Sequence, residues 1–199
     1  MSISVKNLSK NYCAQKAVML VLIAIIFFGN ILYAQANKRS FNTDSLLRVR
    51  DSLKKTMIGK PYPDFEHTGD DGTAYSKKIL SGKKYYINFW FEGCHPCMEE
   101  MSLLIQLNNE LQNTHREFIS FTFESPSDIK RIRKERGLNF KIIPISKEEC
   151  YRLNLNNGFP MHIVVNEKGN IEYVGTYDKS NANALKEITA ILLNENKAQ

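Results

Sequence analysis

The sequence predicts a small α/β sandwich in which a central mixed β-sheet is flanked by helices. Three observations carry that reading. The run Tyr85–Phe91 (YYINFWF) is apolar almost without interruption, as a strand buried on both faces requires. Strand and helix patterns alternate through the middle of the chain, which implies parallel βαβ units. Two strand patterns separated by a turn, then a helix, close the sequence. With 199 residues, 43% of them hydrophobic and 24% charged, the chain is long enough for one domain with a real core and too short for two.

The first 36 residues read as an address. Lys6, Lys10 and Lys16 precede an apolar run from Ala17 to Phe28, weakly continued to Leu32, and Ala34-Gln35-Ala36 supplies the small-x-small triplet of a cleavage site. No acid occurs before Asp44, so positive charge alone flanks the run and keeps the N-terminus in the cytoplasm while the rest is exported. Residues 1–36 are therefore expected to be a signal peptide or an N-terminal membrane anchor. Cys13 lies before the run, not at a cleavage site. The formal net charge of +6 is partly this leader; beyond it 24 basic residues face 21 acids. No basic block interleaved with aromatics appears, and no nucleic-acid partner is expected.

Residues 37–57 are expected to be a linker with a short amphipathic helix over 43–57, capped by Thr43 or Asp44, with Leu46, Leu47, Val49, Leu53 and Met57 on one side. Gly59, Pro61 and Pro63 end it. A domain over 58–199 follows. It opens with an N-terminal β-hairpin extension, Phe65–His67 and Ala74-Tyr75 around Gly69–Gly72. After the strand Tyr85–Phe91 comes a helix from about Cys97 to Gln112, with Met101, Leu104, Ile105 and Leu111 at helical spacing. Glu117–Glu124 reads as another central strand. Pro126 opens a basic helix to Arg136, and Gly137 stops it. Lys141–Ile145 is a short strand, Met161–Asn166 and Ile171–Thr176 form a hairpin, and Asn183–Asn194 is the closing helix.

The strongest chemical signal is Cys94-His95-Pro96-Cys97, two cysteines separated by two residues between a buried strand and a helix. The spacing lets two thiols close a small ring while the first stands at the helix N-terminus. Unsatisfied N–H groups and the positive end of the helix dipole stabilise a thiolate there, lowering its pKa below the free value of about 8.5. Cys94 is the expected nucleophile and Cys97 the resolving thiol. Pro96 removes a donor the first turn does not need, and His95 places partial positive charge beside Cys94. A zinc site would want a second ligand pair, and Cys150, His67, His115 and His162 show none, so no metal is expected. A purely structural disulfide would not explain the strand–CxxC–helix context. Trp90 reads as core, Lys130–Arg136 as a solvated face, and Cys150 as a buried filler or a third thiol.

The stretch Asn88–Glu100 (NFWFEGCHPCMEE) resembles the active-site segment of thioredoxin-like proteins of the TlpA/ResA type, within the AhpC/TSA-redoxin superfamily. Ile58–Phe65 is similar to that family's domain opening, and Gly158-Phe159-Pro160 with Ile163–Asn166 to its closing motif. The resemblance implies a thioredoxin-like fold and an exported or membrane-tethered protein thiol-disulfide oxidoreductase. Its cofactor would be none beyond the redox-active Cys94–Cys97 disulfide.

Pro160 matches the family's cis-proline, which leaves the backbone of Phe159 free to pair with a substrate chain; the bland reading is an ordinary turn proline. Glu100 matches an acidic position near the thiols, where it could move a proton to or from Cys97, or merely favour the helix dipole. Asn88 stands where thioredoxin has a buried acid. Gly93 replaces a common Trp, which should leave Cys94 less covered. The resemblance favours reduction of disulfides in exported proteins, with a membrane electron donor recharging the pair, in the periplasm or at the outer face of the cytoplasmic membrane. The alternatives are a thiol oxidase or isomerase of the same fold, a non-catalytic binding module, and a thiol peroxidase. Against the last, Phe91 stands three residues before Cys94, where peroxidases carry Thr or Ser.

Overall fold

A computed structural model describes residues 18–28, 52–176 and 184–193. The expected cleavage triplet and most of the linker helix lie outside these residues. Residues 18–28 are helical and their apolar side chains, Val18 and Phe28 among them, are exposed. No described helix is long and apolar enough to cross a membrane.

Residues 52–176 begin with a single helical turn over 52–55. Of the apolar side expected there, Leu53 is exposed and Met57 packs against the core, while Lys54 is buried. The Gly59 N–H donates to the Ile171 carbonyl and the Ile171 N–H to the Lys60 carbonyl, each at 2.8 Å. Strands β1 (Glu66–Thr68) and β2 (Ala74–Ser76) pair antiparallel as a separate two-stranded sheet. Their turn is closed by the Gly69 N–H on the Thr73 carbonyl and by Asp71 accepting from the Thr73 N–H.

The main sheet has five strands in the order β5-β4-β3-β6-β7, with β3 (Tyr85–Phe89) at its centre. β3 runs parallel to β4 (Glu117–Thr122), and β4 parallel to β5 (Lys141–Pro144). β3 runs antiparallel to β6 (Met161–Val165), and β6 antiparallel to β7 (Ile171–Gly175), so the sheet is mixed. Helix α1 (His95–Leu111) follows β3, and α2 (Pro126–Arg136) follows β4. Ser125 caps α2 by accepting from the Asp128 N–H, Pro126 sits in its first turn, and Gly137 ends it at φ 68°, a left-handed conformation that costs glycine no Cβ clash. Helix α4 (Ala184–Leu193) closes the chain.

One helix was not expected from the sequence. α3 (Lys147–Leu153) is capped by Ser146 and carries the buried Cys150.

The period of two in a strand divides the core into two layers. On β3, Tyr85, Ile87 and Phe89 face one cluster with Tyr62, Phe121 and Cys150. Tyr86 and, just beyond the strand, Trp90 face the other, with Cys94, Cys97, Met101 and Leu104 of α1. Trp90 is wholly buried, and its Nε1–H donates to Ser120 Oγ at 2.6 Å. Asn88 lies on this second face, so the polar residue of an otherwise apolar strand points toward α1.

Candidate active site

Cys94 is the N-cap of α1. Its backbone is extended (φ −85°, ψ 95°), and its sulfur accepts a hydrogen bond from the Cys97 N–H at 3.3 Å. That N–H is one of the orphan donors of a helix start, and the sulfur stands where the N-terminal dipole is most positive. Cys94 and Cys97 are joined in a disulfide, with S–S 2.04 Å and Cα atoms 5.3 Å apart. Pro96 occupies the first turn. Cys97 is fully buried, whereas Cys94 retains 6% of its surface.

The loss of an indole at Gly93 does not uncover Cys94. A Cβ at Gly93 would lie 3.1 Å from Cε2 of Phe91, so the Phe91 ring already occupies that side. Phe91 stacks on Phe123 (ring centroids 5.1 Å) and meets Phe159 edge-on at 5.3 Å. The Phe91–Phe159 contact ties the segment before Cys94 to the segment before Pro160. The Phe159–Pro160 peptide bond is cis. Tyr151 on α3 packs edge-on against Phe159 at 5.5 Å, which extends the aromatic surface.

His95 turns outward. Its side chain is 83% exposed, and Nδ1 lies 3.4 Å from Glu99 Oε1 one turn on, so any positive charge on the ring is met by a carboxylate. Glu100 points the other way and is fully buried. Asn88 Nδ2 donates to Glu100 Oε1 at 3.2 Å. His162 Nε2 lies 3.2 Å from Glu100 Oε2. That approach is off-line, so neither atom has a full hydrogen-bond partner among the described residues. Behind His162, Tyr86 Oη meets Nδ1 at 2.5 Å. Burial holds the Tyr86 hydroxyl well above the usual tyrosine range, and Glu100 pushes in the same direction. Cys150, the one free cysteine among the described residues, is completely buried, and burial raises its thiol to about 12.

A family model described as the AhpC/TSA family matches residues 58–174, more than half of the chain. The chain belongs to the AhpC/TSA family. Among its AhpC/TSA relatives, the thiol-disulfide oxidoreductase ResA of Bacillus thuringiensis is 31% identical over 90 residues, 45% of this chain and 52% of that protein. The chain thus spans about half the length of that relative. The thioredoxin-like protein YneN of Bacillus subtilis is 29% identical over 126 residues, 61% of this chain and 74% of that protein. The fold is thioredoxin-like. The thioredoxin domain of a thiol-disulfide oxidoreductase from Bacteroides vulgatus superposes with a TM-score of 0.56 at 20% identity, covering 66% of this chain and 97% of that one. StoA of Bacillus subtilis gives 0.55 at 19% identity, covering 66% and 96%.

Sequence reasoning singled out Cys94, Cys97 and Glu100 but gave His162 and Tyr86 no part in this neighbourhood. The only signal was the period of two along β6, which alternates Met161, Ile163 and Val165 with His162 and Val164. Turning that alternation into proximity to Glu100 requires the pairing of Asn88 with His162 across β3 and β6, a register the sequence does not print.

Proposed function

We propose that the protein is an extracytoplasmic thiol-disulfide oxidoreductase that reduces disulfides of exported proteins through Cys94 and Cys97. The observation that carries this reading is the sulfur of Cys94 at the N-cap of α1, receiving the Cys97 N–H and disulfide-bonded to Cys97. Thiolate is the attacking species in disulfide exchange, and a helix N-terminus favours it.

In the reduced protein the Cys94 thiolate attacks one sulfur of a substrate disulfide. A mixed disulfide forms, and the substrate's other sulfur leaves as a thiolate. Cys97 then gives its proton to Glu100 and attacks Cys94 Sγ. The second substrate thiolate is released and the Cys94–Cys97 disulfide is regenerated. Two electrons have passed to the substrate, and a dithiol donor at the membrane must return two to the pair. Phe159, ahead of the cis-proline, would pair its backbone with the substrate chain, and the rings of Phe91, Phe123 and Tyr151 would flank it. No cofactor beyond the cysteine pair enters this scheme.

The oxidising direction reverses the same steps. His95 would favour it by stabilising the reduced pair, but the Glu99 carboxylate beside its ring offsets that charge. This supports reduction, as does the resemblance of Asn88–Glu100 to the TlpA/ResA type. The N-terminal leader, removed or kept as a tether, would place the domain in the periplasm or at the outer face of the cytoplasmic membrane.

The test is the reduction potential of the pair together with insulin reduction by dithiothreitol. A value near about −270 mV and faster turbidity than dithiothreitol alone support the reductase, and a value near about −120 mV makes the protein an oxidant. Absence of insulin turnover would leave a binding module, and Cys94-dependent peroxide consumption a peroxidase.

A further inference from the structure

Asn88 and His162, from two neighbouring strands, meet the Glu100 carboxylate, and Tyr86 backs His162, in an arrangement with a direction. Tyr86 and Asn88 stand on β3, His162 on β6, and the register pairs Asn88 with His162, so all face α1. Tyr86 is wholly buried and keeps its proton, because burial holds its hydroxyl well above its usual range. Its oxygen lies 2.5 Å from His162 Nδ1, which we assign as the acceptor of its proton. With Nδ1 an acceptor, the ring carries its proton on Nε2, the atom 3.2 Å from Glu100 Oε2. Asn88 addresses the other carboxylate oxygen, also as a donor. One N–H thus donates to Oε1 and a second stands 3.2 Å from Oε2, and donors at a buried carboxyl favour its ionised, proton-accepting form.

Among the described residues, the titratable groups that share the cluster of Tyr86 are the cysteine pair on α1 and Tyr173 on β7, and Lys84 lies just before β3. Lys84 is engaged by Glu172 and the Ile191 carbonyl. Tyr173 is pushed up to about 12, mainly by burial and then by Glu187, so it too keeps its proton.

We propose that His162, fixed in its Nε2–H tautomer by Tyr86, is a positioning residue that keeps Glu100 ionised and ready to take the proton of Cys97. The inference rests on Glu100 being that proton acceptor and adds a second residue, on another element, that sets its proton affinity. The off-line approach of Nε2 to Oε2 is of the kind that tightens when the reacting complex forms. Without the Nε2 donor one oxygen of the Glu100 carboxyl would face no N–H, and the resolving step would need a higher pH.

The experiment follows resolution directly. The full chain, reduced, is mixed with a chromogenic nitrobenzoate disulfide. The first release of thionitrobenzoate reports attack by Cys94 and the second reports attack by Cys97, each measured between pH 5.5 and pH 9. His162→Val should move the midpoint of the second phase upward by about one pH unit and leave the first in place. His162→Gln, which keeps an N–H donor at the same reach, should restore the second phase. In a Glu100→Gln background, His162→Val should add nothing. An unmoved second phase in His162→Val, or an equal shift without Glu100, overturns the inference about His162. If Glu100→Gln itself leaves the second phase unchanged, the underlying reading of Glu100 fails instead, and the two failures are told apart. A measurement on the unaltered protein guards against a variant that does not fold. The nitrogen resonances of His162 should show a proton on Nε2 and none on Nδ1, and a proton on Nδ1 would refute the proposal.

Discussion

The backbone N–H of Cys97 donates to the sulfur of Cys94 across 3.3 Å, so the helix that carries the second cysteine also holds the first in place. The two sulfurs are unequal by construction. One caps the helix and keeps a sliver of surface, while the other lies inside the first turn with none. In the proposed mechanism, attack on a protein disulfide begins at Cys94. Replacing Cys97 with Ser should therefore trap mixed disulfides between Cys94 and client proteins from the cell envelope, visible on a non-reducing gel. Cys94→Ser should trap nothing. Adducts that persist in Cys94→Ser would reverse the assignment.

Glu100 is a buried carboxylate one turn beyond Cys97 with an Asn88 donor on one oxygen. If it takes the proton of Cys97, Glu100→Gln should slow insulin reduction by about 10²-fold or more at neutral pH, the usual scale for a lost acid–base group. The deficit should shrink as the pH approaches that of the free thiol. A uniform loss at every pH would instead describe a damaged core.

Cys150 has no part in the exchange scheme. It packs among Tyr62, Tyr85 and Leu153, and burial raises its thiol to about 12. In the folded protein it should resist iodoacetamide at pH 8 and react only once the chain is unfolded. Cys150→Ala should cost on the order of 1 kcal/mol in urea unfolding, through the small cavity left behind, without changing the rate of disulfide exchange. Rapid native alkylation of Cys150 would show an accessible third thiol.

Glu149 joins α3 to β1. Arg152 donates to both of its oxygens, at 2.7 and 2.6 Å, and His67 Nε2 lies 3.0 Å away. The guanidinium hydrogen bond lowers the Glu149 carboxyl to about 2. A carboxyl depressed on folding contributes stability above its unfolded value, about 4.3, and loses it as pH falls through the folded value. Glu149→Gln should therefore flatten the acid limb of the stability curve between about pH 4.5 and pH 2. An acid limb with unchanged slope would show that the network contributes nothing.

Much of this molecule can be read from the chain because its signals are local. The buried period of Tyr85–Phe91, the CxxC at a helix start, and the Pro126 opening and Gly137 stop of α2 each lie within a dozen residues. What could not be read is non-local or too short. Seven residues give α3 fewer than two turns, too little for a helical period to show, so its Ser146 cap passed unnoticed. The Phe91 ring occupies the space that a side chain at Gly93 would enter, a contact that no local pattern announces. The meeting of His162 with Glu100 depends on antiparallel pairing of β3 with a strand more than seventy residues later. Local pattern marks both residues as unusual in their elements and says nothing of their proximity.

The central claim is that Cys94 is an activated thiolate at a helix N-terminus, and its ionisation in the reduced protein tests this most directly. Alkylation rates of Cys94 and Cys97, resolved by mass spectrometry across pH 4 to 10, should give Cys94 a midpoint about one unit or more below the free-thiol value of about 8.5, with Cys97 reacting far more slowly. A midpoint at or above that value, or faster modification of Cys97, would contradict the account.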